Sequence, residues 1–150
     1  MTFEDEFAVS APVDRVWAFV RDPDQVAPCI PGAERVETID DTHYRVTAGA
    51  KVSFLSLSFA LNVALTEIDE PRRLVSVAEG MDARLKERVK LVAALTLEPA
   101  GAGQTTVRYR IDLTVYGKLA ALGLTVIKGK AKQMATDFAT GIRTRLEAAA

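Results

Sequence analysis

The sequence has a single cysteine, a single histidine and no strong excess of charge of either sign. Cys29 alone cannot form an internal disulfide, and His43 alone leaves a His/Cys metal site without enough ligands. Nineteen basic and twenty acidic side chains give a net charge of −1, so the chain as a whole lacks the basic excess typical of nucleic-acid-binding proteins. We therefore expect no metal, no cofactor and no nucleic-acid partner.

Long apolar runs are lacking as well. No uninterrupted stretch approaches the ~20 residues that a membrane-spanning helix requires. The first six residues are acidic and alternate in polarity, which is the reverse of a signal peptide. With 150 residues, 49% of them hydrophobic and 26% charged, the composition is typical of one globular domain over residues 1–150. We expect that domain to be cytoplasmic.

The order of the structural elements follows from changes in the hydrophobic period. Residues 3–9 alternate as a half-buried strand, and a short amphipathic helix follows, with Pro12 in its first turn. Three prolines within nine residues then allow at most one more helical turn. Alternation over residues 34–116 predicts six further strands, which must be antiparallel because the connections are too short for crossover helices. After Gly117 the period returns to 3.6 and predicts one helix of roughly 30 residues, which gives an α+β fold with helices on one face of a curved antiparallel sheet.

The apolar stripes of these strands and of the C-terminal helix converge on one interior. That interior is either a packed core or a cavity for an apolar ligand, and the mixture of small and bulky residues leaves both interpretations open. The candidate ligand contacts are Trp17, Val20, Ile30, Phe54, Phe59, Leu61, Val63, Glu87, Leu91, Tyr109, Leu113, Ile127, Met134 and Phe138.

Glu87 is the polar exception in the apolar series of residues 85–97. If it faces a cavity, burial favours its neutral form, which could donate a hydrogen bond to a ligand carbonyl. Alternatively it lies at the rim of the sheet, or a bulge turns it outward. Tyr109 could likewise bind a ligand oxygen or an internal partner. The sequence contains no nucleophile elbow, P-loop or dinucleotide fingerprint, so we expect no catalytic residues.

The start of the C-terminal helix is apolar on nearly all sides. Residues 119–127 carry no charge, and no acidic residue occurs between Lys118 and Asp137. Either this segment is buried on several sides, or it forms an apolar patch ringed by lysines that contacts an anionic membrane or a partner protein. Gly123, inside this helix, indicates close approach of helix and sheet. The candidate membrane or partner contacts are Lys118, Leu119, Leu122 and Lys128.

Two segments resemble the CoxG family, which is named for carbon monoxide dehydrogenase. They are residues 29–34, Cys-Ile-Pro-Gly-Ala-Glu, after the helix that ends at Asp22-Pro23, and residues 115–123, Val-Tyr-Gly-Lys-Leu-Ala-Ala-Leu-Gly. The resemblance extends from Phe7 to Ile142. It implies the START/Bet v 1-like (SRPBCC) helix-grip fold, in which a seven-stranded antiparallel sheet and two short N-terminal helices surround an apolar cavity with a long C-terminal helix.

The resemblance also implies a role beside a molybdenum hydroxylase of the carbon monoxide dehydrogenase type, at the inner face of the cell membrane. The leading hypothesis is a non-enzymatic carrier of a lipophilic small molecule, a quinone. A second hypothesis is an enzyme of the polyketide cyclase or hydrolase kind, with Glu87 and Tyr109 as an acid–base pair. A third is a ligand-free assembly or membrane-recruitment factor that docks onto the oxidoreductase.

Overall fold

The computed structural model describes residues 1–84 and 86–148. The strands of this part of the chain are β1 (Thr2–Val9), β2 (Ala33–Asp40), β3 (His43–Val52), β4 (Leu55–Asp69), β5 (Arg73–Asp82), β6 (Arg88–Pro99) and β7 (Thr105–Val115). The helices are α1 (Val13–Arg21), α2 (Pro23–Val26), α3 (Gly117–Ala121) and α4 (Leu124–Ala148), and a single 3₁₀ turn spans Ala27–Cys29.

All seven strands form one antiparallel sheet in the order β1-β7-β6-β5-β4-β3-β2. Strands β2 to β7 are a meander, and β1 lies beside β7, so α1 and α2 cross from one edge of the sheet to the other. The register shift between Leu65 and Glu67 of β4 is a bulge, a device that increases the bend of a strand. The α+β class, with two short helices near the N-terminus and a long one at the C-terminus, is confirmed.

One end of the sheet is closed by a solid core that we call the far-end core. Its buried side chains come from β1, α1, the connection between them, the 3₁₀ turn, β5, β6, β7 and α4, and they are Val9, Ala11, Val16, Trp17, Phe19, Val20, Cys29, Leu74, Leu97, Val107, Ile142 and Leu146. Hydrogen bonds fix α4 to the corner between β1 and α1: the Arg143 guanidinium donates to the Ala8 carbonyl at 3.1 Å, and the Arg15 guanidinium donates to the Leu146 carbonyl.

The predicted single C-terminal helix is wrong at its start. Gly123 has φ +95°, a left-handed conformation that ends α3 and separates it from the 25-residue α4. A Cβ on Gly123 would meet no atom within 4 Å, so its role is this turn and not the predicted close approach to the sheet. Within the described residues, no helix combines the length and hydropathy needed to cross a bilayer.

The predicted start of the sixth strand is also shifted. Leu85, where the apolar series begins, lies outside the described residues, and β6 starts at Arg88. The preceding connection is organised by Asp82, which is 1% exposed and whose carboxylate accepts hydrogen bonds from the backbone N–H groups of Ser58 (2.6 Å) and Arg84 (2.9 Å). Because the chain turns here, Glu87 lies in the connection and not in the alternating strand.

The far-end core predicts a large effect of Ile142→Ala. Ile142 is 0% exposed and joins α4 to the rest of this core, so removing three methyl or methylene groups should lower the free energy of unfolding by about 3 kcal/mol. Urea denaturation monitored by circular dichroism measures the loss. Ile39→Ala is the matched control, because Ile39 is 56% exposed and its truncation should cost less than about 0.5 kcal/mol. Equal losses in the two variants would contradict the assigned core.

Candidate ligand-binding cavity

A cavity of about 480 Å³ lies between the concave face of the sheet and α4. Its walls are inward side chains of all seven strands, the end of α1, part of the segment from Pro23 to Pro31, Leu119 of α3, and one face of α4. The volume is within the range of sites that bind small organic molecules, and the walls are almost entirely apolar. The two interpretations left open by the sequence are therefore decided in favour of a cavity.

Most of the candidate ligand contacts share this cavity wall. The alternation of β4 brings Phe59, Leu61 and Val63 to the concave face, and the 3.6-residue period of α4 brings Ile127, Met134 and Phe138 opposite them. The full set of candidates on the wall is Val20, Ile30, Phe59, Leu61, Val63, Leu91, Tyr109, Leu113, Ile127, Met134 and Phe138. The geometry thus permits all eleven to contact one ligand.

Phe54, Trp17 and Glu87 do not lie on the cavity wall, and their prediction as wall residues is wrong. Phe54 follows Ser53, whose φ of 56° makes the tight turn between β3 and β4, and the turn leaves the Phe54 ring 80% exposed. Trp17 packs into the far-end core, and the neighbouring helix positions Val20 and Arg21 face the cavity instead.

Glu87 is buried, but outside the cavity. Its carboxylate accepts a hydrogen bond from the Leu119 backbone N–H at 3.4 Å, and a Cβ on Gly117 would overlap its Oε2 atom. Glu87 therefore attaches the β5–β6 connection to the first turn of α3. The predicted acid–base pair of Glu87 and Tyr109 is not assembled in the cavity, because only Tyr109 lies on its wall.

The predicted membrane or partner contacts divide into two groups. Lys118 and Lys128 are exposed, as a surface role requires. Leu119 is only 4% exposed and lines the cavity, so the prediction that it forms part of a surface patch is wrong. Leu122 is half-buried and packs beside Leu119. Because the helix is interrupted at Gly123, α4 starts in a new direction, and its first exposed apolar side chains are Leu124 and Val126.

A small number of polar groups interrupt the apolar wall. Arg21, Tyr44, Ser76, Tyr109 and Lys130 lie on it, and the Tyr44 hydroxyl donates to the Asp41 carbonyl at 3.1 Å. Burial, and secondarily the negative charge of Asp5, raises the pKa of Tyr109, so its hydroxyl remains a donor at neutral pH. Nη1 of Arg21 is buried and forms no hydrogen bond with a described residue.

Sequence reasoning missed Arg21, Tyr44, Ser76 and Lys130. Arg21 directly follows the wall residue Val20, and Lys130 is three residues after Ile127, so each lies beside an apolar helix stripe. Strand alternation was the signal for the other two, since Tyr44 shares the face of Val46, and Ser76 shares the face of Leu74 and Ala78. The described part of the wall contains no carboxylate, histidine or cysteine.

Cys29 and His43 lie away from the cavity wall. Cys29 is buried in the far-end core, and burial raises the pKa of its thiol although Arg145 acts in the opposite direction. His43 is exposed, with Nδ1 2.9 Å from the Asp40 carboxylate. Neither side chain is therefore placed to contact a ligand in the cavity.

A second buried cluster closes the cavity at the end opposite to the far-end core. We call this small cluster, Val52, Leu57, Phe59, Leu119 and Ile127, the cap. All five cap residues line the cavity, whereas of the buried far-end residues only Val20 and Leu74 do. Every buried cap residue therefore contacts the cavity, and α3 contributes Leu119. The half-buried side chains of Met1, Leu55 and Leu122 pack against the cap without lining the cavity.

Comparison with known proteins identifies the family. Residues 6–147 match the model of the carbon monoxide dehydrogenase CoxG family. The chain belongs to the CoxG family. No curated protein matches its sequence significantly.

Solved structures share the fold of this CoxG protein. A conserved protein from Geobacillus kaustophilus superposes with a TM-score of 0.89 at 22% identity, over 98% of this chain and 95% of the other. A START superfamily protein from Mycobacterium smegmatis gives 0.77 at 14% identity, over 99% of each chain. The Zhui aromatase/cyclase from Streptomyces sp. R1128 gives 0.70 at 16% identity, over 98% and 93%. These similarities show a START/Bet v 1-like fold.

Alanine substitutions at Gly117 in α3 and at Gly129 in α4 should have opposite effects on stability. Gly117→Ala should destabilise the protein by about 1–3 kcal/mol, because Gly117 has φ +66° and its added Cβ would overlap the Glu87 carboxylate. Gly129→Ala should stabilise it by up to about 1 kcal/mol, because Gly129 lies inside α4 and its Cβ would meet nothing. Urea denaturation of both variants measures the difference. A neutral Gly117→Ala would contradict the close contact with Glu87.

Proposed function

We propose that this CoxG protein is a non-enzymatic carrier of a lipophilic small molecule, and that the molecule is a quinone. The observation that carries the proposal is the apolar cavity of about 480 Å³ between the sheet and α4. An apolar molecule gains free energy roughly in proportion to the surface that it removes from water, and such a cavity can surround most of a drug-sized ligand.

The polar groups on the wall favour a ligand that accepts hydrogen bonds. Arg21 and Lys130 are donors only, and the hydroxyls of Ser76 and Tyr109 can donate. Quinone carbonyl oxygens are acceptors only, and an isoprenoid tail suits the remaining wall.

Membership of the CoxG family supports the proposed partner. The family is named for carbon monoxide dehydrogenase, so we propose that the carrier serves a molybdenum hydroxylase of that type at the inner face of the membrane. The cyclase alternative rested on Glu87 and Tyr109 acting together, and Glu87 lies outside the cavity. A ligand-free assembly factor would have no use for the cavity.

The test is quinone binding by the purified protein. We expect menaquinone-4 to quench the fluorescence of Trp17, the single tryptophan, which packs one helical turn from the wall residues Val20 and Arg21. Organic extraction followed by mass spectrometry should recover the quinone chemically unchanged. Absence of binding, or recovery of a modified product, would overturn the carrier proposal.

Ala131→Phe distinguishes binding in the cavity from binding elsewhere. The added ring would occupy the space that the quinone needs, so affinity should fall by at least about tenfold, or ~1.4 kcal/mol. Gln133→Phe adds the same ring to the exposed side of α4 and should leave affinity unchanged.

The same variant tests the cavity itself, because a new ring in a packed core costs about 1–3 kcal/mol, whereas a ring that fills a void does not. Urea denaturation of Ala131→Phe should therefore show no loss of stability. A loss in that range, or unchanged quinone affinity, would contradict the assigned cavity.

A further inference from the structure

Three segments of the chain meet at the capped end of the molecule, and we call them together the basic end. They are residues 51–58 at the β3–β4 turn, residues 81–84 and 86–90 around the β5–β6 connection, and residues 115–132 with α3 and the start of α4. Arg84 donates to the Ser56 carbonyl at 3.5 Å, and the Arg88 guanidinium lies 5.2 Å from the centre of the Tyr116 ring. With the Glu87 carboxylate bound to α3, these contacts hold the segments in one surface.

Most of the exposed large apolar side chains of the described residues belong to the basic end. Phe54 is 80% and Leu124 64% exposed, and Val126, Tyr116 and Met81 are also exposed. The two others in the described residues, Ile39 and Ile68, lie near the β2–β3 and β4–β5 turns at the opposite end of the sheet. Apolar side chains collected at one end of a molecule indicate a contact surface.

The charge of the basic end is unbalanced. Its segments contain nine lysine or arginine residues and two acidic residues, Asp82 and Glu87, and both acidic side chains are buried. Ion pairs elsewhere in the described residues use other cations, such as Arg73, Arg108 and Arg110. Even with both carboxylates ionised, and with Glu79 opposite Lys90 on the neighbouring strand, cations outnumber anions at the basic end, and this excess favours an anionic partner.

Two features favour an anionic lipid surface over an acidic protein as that partner. Seven of the nine cations are lysines, and protein–protein interfaces are depleted in lysine and enriched in arginine. The most exposed apolar groups, Phe54 and Leu124, stand on a tight turn and at a helix start, where single side chains can enter the interfacial layer of a bilayer between lysines that contact headgroups.

The basic end is also where the cap closes the cavity. The cap residue Leu119 is carried by α3, which has a left-handed glycine at its first residue (Gly117, φ +66°) and another just beyond its end (Gly123, φ +95°). A lipophilic ligand that left the cavity at this end would pass next to Leu124 and Phe54 without crossing the far-end core.

We propose that the basic end docks on an anionic lipid bilayer, with Phe54, Leu124 and Val126 inserted at the interface and Lys118 and Lys128 on the headgroups. This proposal rests on the proposed carrier function, because docking in this orientation places the cap against the bilayer that holds the lipophilic ligand. The docking residues differ from those indicated by the sequence: Leu119 belongs to the cap, and Phe54 and Leu124 provide the exposed apolar groups.

Vesicle co-sedimentation tests the docking surface. The protein should bind vesicles of phosphatidylcholine with about 30% phosphatidylglycerol, bind pure phosphatidylcholine at least about tenfold more weakly, and dissociate at high salt because the attraction is screened. The double variant Phe54→Ser/Leu124→Ser and, separately, Lys118→Gln/Lys128→Gln should each weaken binding at least about tenfold. Ile39→Ser/Ile68→Ser, a pair of exposed apolar residues at the opposite end, is the matched control and should bind normally.

The outcomes separate docking from ligand binding. None of the substituted residues lies on the cavity wall, so quenching of Trp17 by menaquinone-4 in detergent should be normal in every variant. Failure of the wild type to bind anionic vesicles, or equal loss in the control pair, would overturn the docking surface while leaving the quinone result standing. Capture of the protein by an acidic protein surface and not by vesicles would also overturn it. Vesicle binding without quinone binding would overturn only the carrier function.

Discussion

The structure depends on one packing constraint: a single helix covers the concave face of a strongly bent seven-stranded sheet. Where α4 passes over the sheet, it presents the small residues Ala131 and Ala135 to the cavity, and the strands present Ala78 and Ala93. With the cost of a dry void scaling at ~24 cal/mol per Å³, an empty cavity of this size would cost on the order of 10 kcal/mol. That is comparable to the whole stability of a domain of this length. A void of this size is therefore better explained as a binding site than as a packing error.

The two ends of the molecule have different roles: the far-end core stabilises the fold, and the cap lies between the cavity and the exterior. The far-end core is several side chains deep, and it fixes α4 through Ile142, Leu146 and the hydrogen bond from Arg143 to the Ala8 carbonyl. The cap has only five buried residues, all of which line the cavity, and the Glu87 carboxylate accepts a hydrogen bond from the Leu119 N–H group of α3. Segments with few buried apolar contacts open at the lowest free-energy cost. Local opening should therefore begin at the cap and leave the far-end core intact.

The periodic part of this architecture could be predicted from the sequence, and the turns could not. Strand alternation placed Phe59, Leu61 and Val63 on one face correctly because side-chain direction in a strand depends only on parity. Strand alternation no longer predicts side-chain direction where the backbone turns. The turn at Ser53 directs Phe54 to the exterior, and the loop organised by Asp82 removes Glu87 from its strand.

The helical period failed at Gly123 for the same reason. A left-handed residue ends one helix before the next begins, and as a result Leu119 is buried and Leu124 is exposed. The errors at Phe54, Glu87 and Leu119 each follow from a nearby positive φ value, at Ser53, Lys86 and Gly123, that the hydrophobic pattern does not encode.

The net charge of the whole chain also fails to describe the local charge at the basic end. The whole chain has a net charge of −1, which argues against an anionic partner if charge is treated as uniform. Interactions in physiological salt are screened over about 8 Å, so a partner responds to the nearest side chains and not to the chain total. Acidic residues such as Asp40, Asp69 and Glu70 lie at turns of the opposite end, more than a screening length away along strands of ten residues or longer. A polyanionic surface would therefore orient the molecule with Lys118 and Lys128 towards it, although the protein as a whole is slightly acidic.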